Sequence, residues 1–189
     1  ETKVESSWNY LNKLWNISRY VLMNLEGYSN ASIDINELNL PSKWILSKLN
    51  KVILSVDENF DKYEFGEVAR TIYNFVWDDF ASWYVEISKV DLNGSNKQNT
   101  QNVLLYVLTS IIKLLHPFVP FITEEIYQSI PHSKDSICIE NWPKYNKDFD
   151  FITEEPFMET IIEIITSVRN ERSKANKAPS KKIDITIQV

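Results

Sequence analysis

The chain has 189 residues, is 43% hydrophobic and 13% aromatic, carries a formal net charge of −6 and contains 3 glycines and 1 cysteine. That much apolar material can fill one substantial core, a single cysteine excludes an internal disulfide framework, and no apolar run approaches the roughly 20 residues of a membrane span. The charged and polar opening, residues 1–7, does not read as a secretory signal, so the expectation is a cytoplasmic protein without membrane association.

Helical periodicity runs through the sequence. In a first helix over residues 4–26, Trp8, Leu11, Trp15, Ser18, Leu22 and Leu25 recur at spacings of three and four and draw one stripe. Gly27 stands where a helix C-cap glycine would stand. Residues 28–40 are polar and irregular and read as a loop. Pro41 suits the first turn of a second helix, whose apolar face is Trp44, Ile45, Leu49, Val52, Ile53 and Val56. A long third helix, residues 65–89, is rich in aromatics that read as core: Tyr73, Phe75, Trp77, Phe80, Trp83 and Tyr84. Residues 91–96 form the clearest turn in the chain and separate two long antiparallel helices.

The fourth helix covers residues 99–115 and stops at His116-Pro117, because the residue before a proline is pushed out of helical geometry. Pro120 opens a fifth helix over 121–130, with Glu124 and Glu125 in its first turn, where negative charge suits the helix dipole. A loop with Pro131, Pro143 and Pro156 follows, and residues 136–140 within it read as a short extended piece. A last helix spans 157–176, and residues 182–189 alternate strictly, as a β-strand does. Its partner is either the 136–140 piece or lies outside this chain. The reading is all-α: one domain, an antiparallel helix bundle with a short C-terminal β-strand, residues 1–130 forming the main bundle and 131–189 the loop, last helix and terminal strand.

No catalytic, cofactor-binding or metal constellation stands out. His116 and His132 have no cysteine at metal-ligand spacing, and 3 scattered glycines cannot build a phosphate loop. No serine or cysteine sits in a nucleophile context. Glu124 and Glu125 project about 100° apart on a helix and do not converge on one atom. His116, at a helix end before a proline, reads as a capping or core residue.

The first helix is more informative. Its apolar flanks are Trp8, Leu11, Trp15 and Leu22 on one side and Tyr10, Leu14, Ile17 and Val21 on the other. Between them lies a polar sector of Asn9, Asn12, Lys13, Asn16, Arg19, Tyr20 and Asn24. Asparagine matches base edges with a donor and an acceptor, arginine grips phosphate or stacks, and tyrosine stacks on an unpaired base. Asn12, Asn16, Arg19 and Tyr20 are the candidate RNA contacts, with Lys43, Lys48 and Arg172 as candidate phosphate contacts. The plain alternative is the solvated face of an ordinary bundle helix. Residues 169–182 hold six cations, Arg169, Arg172, Lys174, Lys177, Lys181 and Lys182, against Glu171 alone; phosphate contact and a helix end favoured by its dipole explain them equally. An acidic average can therefore hide a basic face.

Several strings, in order and covering almost the whole chain, resemble the anticodon-binding domain of valyl-tRNA synthetases. Lys13-Leu14-Trp15-Asn16-Ile17-Ser18-Arg19-Tyr20-Val21-Leu22 resembles its opening, and Lys43-Trp44-Ile45-Leu46-Ser47-Lys48-Leu49 the segment that follows. Phe75-Val76-Trp77-Asp78-Asp79-Phe80-Ala81-Ser82-Trp83-Tyr84-Val85-Glu86 is similar to a third block, with Ala81-Ser82 where the family commonly has Cys-Asp. Leu114-Leu115-His116-Pro117-Phe118-Val119-Pro120-Phe121-Ile122-Thr123-Glu124-Glu125-Ile126 is the best match, with Tyr127 after it in place of the usual Trp. Arg169-Asn170-Glu171-Arg172 and Ala178-Pro179-Ser180-Lys181-Lys182-Ile183 resemble the closing block.

The resemblance implies a class I ligase that activates valine with ATP and esterifies it to its tRNA. The ATP-binding signatures, of the His-Ile-Gly-His and Lys-Met-Ser-Lys-Ser types, do not occur here. They and the editing domain would lie upstream, and a coiled-coil arm downstream. This piece is then expected to be a monomer that binds valine-accepting tRNA, needs no cofactor of its own, catalyses nothing alone, and packs against the catalytic and editing domains of its parent. Isoleucine and leucine ligases share the bundle, but usually carry Ala-Pro where this chain has His116-Pro117. A non-catalytic protein-interaction bundle is the rival from another class.

Overall fold

The computed structural model describes residues 2–29, 32–178 and 181–182. In chain order it contains α1 (Thr2–Met23), α2 (Leu40–Asp61), α3 (Phe65–Asn74), a π-helical segment (Phe75–Tyr84), α4 (Val85–Asp91), α5 (Lys97–Leu115), α6 (Pro120–Ser129) and α7 (Glu154–Lys174). Short 3₁₀ turns at Ile35–Glu37, Ile137–Ile139 and Lys147–Phe149 lie in the connections. The fold is an all-α bundle without a strand among the described residues. No described helix is long and apolar enough to cross a membrane.

α2 begins where Asn39 accepts a hydrogen bond from the Ser42 amide at 3.0 Å, with proline in the first turn. It and α5 supply the heart of the core: Trp44, Ile45, Ile53, Val56, Val103, Leu104, Leu108 and Ile111 are all buried. Both α3 and α4 touch α5, so α5 runs back along the long third helix after the turn at residues 92–96.

That third helix is continuous but not uniform. Its middle is π-helical, a geometry in which residues five apart are hydrogen-bonded. Phe75, Phe80 and Val85 recur at five, as do Val76 and Ala81, and all five are buried. The wider turn lets this set share one inward face, which a 3.6-residue turn would spread around the helix.

Other expectations are corrected. α1 ends at Met23, short of Gly27, with Asn24 Nδ2 donating to the Tyr20 carbonyl at 2.8 Å. Gly27 instead takes φ +75° inside a turn closed by the Tyr28 amide on the Leu25 carbonyl at 2.9 Å, a backbone shape glycine adopts freely. On α1 the buried residues are Tyr10, Leu14, Ile17, Ser18 and Val21, whereas Trp8 is 64% exposed and Trp15 37%. Leu11 and Leu22 of the tryptophan flank are half-buried against the core, so that flank is exposed chiefly at its two tryptophans. Glu124 lies beyond the first turn of α6 and accepts from Ser136 Oγ at 2.9 Å and the Ile137 amide at 3.2 Å. Residues 136–140 form a 3₁₀ turn capped by Ser136, not a strand. Residues 183–189 of the proposed terminal strand lie outside the described residues.

The polar loop between α1 and α2 is held by amide side chains of α5. Asn99 and Asp34 exchange two hydrogen bonds, each 2.9 Å, between the Asn99 amide and the Asp34 backbone. Gln98 donates to the Ser29 carbonyl at 3.0 Å, Gln101 to the Asn24 carbonyl, and Asn102 to the Ser32 carbonyl at 3.2 Å. Loop carbonyls that face the bundle are satisfied there rather than by water. α7 is attached differently, by charge. Its first turns meet α2 through Lys43–Glu154 at 3.0 Å, Lys48–Glu159 at 3.2 Å and Lys51–Glu155 at 2.7 Å, with Ser47 Oγ donating to Glu155 at 2.7 Å.

Candidate nucleic-acid interface

The polar sector of α1 follows from its burial pattern. With Tyr10, Leu14, Ile17 and Val21 turned inward, Asn9, Asn12, Asn16 and Arg19, themselves spaced three and four apart, share a face turned to solvent. Lys13 and Tyr20 lie at the border, half-buried. Among the described residues Arg19 meets no carboxylate or carbonyl partner. Asn12, Lys13, Asn16 and Tyr20 form one wall of an open groove of ≈400 Å³. Ala81 and Val85 lie at its base, and Glu86 and Lys89 of α4 form the opposite wall.

The walls are rigidly tied. Lys13 Nζ donates to the Trp77 carbonyl at 3.1 Å and lies 3.7 Å from the centroid of the Trp77 ring. Tyr10 stacks on Tyr73 at 4.7 Å, and Tyr73 stacks on Trp77 at 5.7 Å. Burial holds the Lys13 ammonium below the usual lysine range, although nearby Asp78 works against that. On the other wall Lys89 grips both carboxylate oxygens of Glu86 at 2.7 Å and lies 5.5 Å from the Tyr20 ring centroid. Burial raises the Tyr20 hydroxyl, which Lys89 only partly counters, so this phenol remains a neutral donor and flat stacking face.

The structure thus gathers Asn12, Asn16 and Tyr20 on one groove, with Arg19 exposed on the same helix. It puts the other candidate cations elsewhere. Lys43 faces Glu154 and lies 5.5 Å from the Phe151 ring centroid, and Lys48 lies between Glu159 and Asp79, the latter at 3.9 Å. Arg172 donates to the Ala178 carbonyl at 2.6 Å and the Lys181 carbonyl at 2.8 Å, closing the end of α7. Arg169 lies 4.9 Å over the ring of Trp83. An open groove lined by amides, a tyrosine face, ammonium groups and the Glu86 carboxylate can hydrogen-bond base edges, stack a base and attract phosphate through its lysines.

Residues 42–187 match the family model described as the anticodon-binding domain of tRNA ligase. The chain belongs to the tRNA ligase anticodon-binding domain family. It is 49% identical to the valine–tRNA ligase of Listeria innocua serovar 6a over 98% of this chain and 22% of that protein. The valine–tRNA ligases of Listeria monocytogenes serovar 1/2a (50%) and Staphylococcus epidermidis (49%) are matched over the same shares. The chain therefore spans 22% of the length of the curated relatives it matches. The solved ternary complex of Agrobacterium radiobacter K84 agnB2 LeuRS with tRNA and LeuAMS shares the fold, with a TM-score of 0.57 at 21% identity over 77% of this chain and 17% of that one.

In this anticodon-binding domain, Glu86 and Lys89 were not singled out from sequence, because they come from a helix whose aromatic content pointed only to core. Lys13 was visible in the polar sector, but its ring contact with Trp77 depends on a residue 64 positions away. The asparagine-rich start of α5 carried a signal, a run of amides at helical spacing, that periodicity of apolar residues alone does not detect.

Proposed function

We propose that this is the anticodon-recognition domain of a valine–tRNA ligase, whose parent enzyme joins valine to its tRNA with ATP in the cytoplasm. In this reading the domain is one unit over residues 1–189, a monomer without a cofactor or catalytic residue of its own, and the parent's catalytic domain binds ATP and its editing domain accompanies it. Unstacked anticodon bases enter the groove between α1 and α4. Asn12 and Asn16 read base edges, Tyr20 stacks, and Arg19 grips a phosphate or stacks beside it. Lys43, Lys48 and Arg172, already engaged within the protein, act on phosphate only through their longer-range field, screened over about 10 Å at 0.1 M salt.

The observation that carries the reading is the groove itself: Asn12, Asn16 and Tyr20 line one open wall whose inward face is sealed in the core. Filter binding of tRNA transcripts at graded salt tests it. Binding should fall with salt, weaken on Arg19→Ala and weaken when valine anticodon bases are exchanged. Equal affinity for valine, isoleucine and leucine tRNAs, untouched by the anticodon change, would overturn the anticodon assignment. Binding indifferent to salt and to Arg19→Ala would overturn the RNA interface altogether.

A further inference from the structure

The turn between α5 and α6 holds a second cluster, remote from the RNA groove in residues and in chemistry. His116 caps the end of α5, Glu124 lies within α6, and Cys138 lies in the 3₁₀ turn Ile137–Ile139. Twenty-two positions separate His116 from Cys138, yet His116 Nε2 and Cys138 Sγ are 3.1 Å apart. With a Glu124 carboxylate oxygen added, the three donor atoms all lie within 4.8 Å of one another. Donors at 2.0–2.3 Å around a tetrahedral ion lie roughly 3.3–3.6 Å apart, so a small side-chain rotation brings this set to coordination.

The surrounding hydrogen bonds prepare each donor. Thr123 Oγ1, fully buried, directs its proton to the carbonyls of Val119 at 3.0 Å and Pro120 at 3.1 Å. It therefore accepts from His116 Nδ1 at 2.8 Å, which puts the ring proton on Nδ1 and leaves Nε2 bare, facing the sulfur. Glu124 is fixed from both sides: Gln128 Nε2 donates to Oε1 at 2.8 Å, while Ser136 Oγ and the Ile137 amide donate to Oε2. This is the outer support a metal-binding imidazole and carboxylate have elsewhere. Cys138 is exposed and His116 and Glu124 are partly so, so an ion can enter from solvent.

We infer that His116 Nε2, Cys138 Sγ and a Glu124 carboxylate oxygen form a site for a zinc-class divalent cation, which staples the 131–153 loop to the α5–α6 corner. The mixed sulfur, nitrogen and oxygen set suits zinc or cobalt(II) and not magnesium or calcium. Binding replaces the thiol proton held between sulfur and Nε2: the thiolate bonds the metal, one proton goes to solvent, and water completes the fourth position.

Cobalt(II) titration of the reduced 189-residue chain tests this. The expected result is one saturable equivalent with near-ultraviolet thiolate-to-cobalt absorption, bleached by zinc. The absorption should vanish in Cys138→Ser, and affinity should fall at least about tenfold in His116→Gln and in Glu124→Gln. Zinc should also slow maleimide labelling of Cys138 in the unaltered protein, a readout that needs no variant. Absence of the charge-transfer absorption together with unchanged labelling would overturn the proposal. Cobalt binding that survives both Cys138→Ser and His116→Gln would overturn it as well.

Discussion

Lys13 of α1 holds its ammonium 3.7 Å from the ring centroid of Trp77 and 3.1 Å from the carbonyl of the same residue. The carbonyl also accepts from Ser82 Oγ at 2.7 Å, five residues on, so the π-helical segment and α1 meet at one backbone oxygen. One lysine thereby ties the α1 wall of the groove to the π-helical segment. Lys13→Met keeps the apolar stem and removes the charge. It should cost about 1–2 kcal/mol of stability, from the lost cation–π contact and hydrogen bond. Urea unfolding measures this; a change below about 0.5 kcal/mol would show that the contact does not hold the wall.

Arg19 is exposed and makes no internal bond among the described residues, so its replacement should separate binding from folding. Arg19→Ala should leave stability within about 0.5 kcal/mol. Its plot of log affinity against log salt should be shallower by about 1 if the guanidinium neutralises one phosphate. An unchanged slope would remove Arg19 from the interface.

Asp79 gives the fold a pH dependence. Burial lifts its carboxyl from the ordinary 3.8 to about 6, an effect that Lys48 opposes and the neighbouring Asp78, Glu159 and Glu155 reinforce. The folded chain then keeps a proton that the unfolded chain has lost, so this group's contribution to stability falls as pH rises from about 4 to about 6 and is level above. Glu140 and Glu154, held below their usual range mainly by hydrogen bonds from Tyr127 and from Thr153 and Lys43, act in the opposite sense at lower pH. They are common to wild type and variant and cancel in the difference. Asp79→Asn should therefore gain on wild type by on the order of 1–2 kcal/mol across that window. Denaturant midpoints at pH 4.5 and 7 measure it; a difference that is constant with pH would contradict the shift.

Glu155 is the one carboxylate of α7 that is nearly sealed, 4% exposed, with Ser47 and Lys51 both on it. Glu155→Ala leaves the Ser47 hydroxyl buried without its partner, at a cost of about 1–3 kcal/mol. Ser47→Ala with Glu155→Ala removes both groups and should recover part of that loss. Unfolding of the single and double variants checks this, and additive losses would show that the two residues are not coupled.

Some of this was readable before any coordinates. Pro41 and the turn at residues 91–96 mark helix boundaries through backbone chemistry local to each residue, and they fall within a few positions of the observed ends. The helix also stops at His116-Pro117, but His116 keeps helical dihedrals (φ −55°, ψ −40°), so the proline does not act by pushing its neighbour out of that region. The α1 polar sector was readable because helical spacing maps sequence directly onto a face. The inward side of α1 was harder. Both apolar flanks read alike in sequence, yet Tyr10, Leu14 and Ile17 are buried in the core while Trp8 and Trp15 stay exposed. Residue size records how much surface could be buried, not which neighbour arrives to bury it.

The sequence by itself determined an all-helical bundle, its turns, and a helix with an amide-and-arginine face, because these depend on propensity and on contacts within a few residues. Only the tertiary structure decided that Lys89 completes the groove, that Lys43 and Lys48 serve α7, and that His116 meets Cys138. Each of those joins residues far apart in the chain, and their partners are chosen by how the helices pack, which no local pattern encodes.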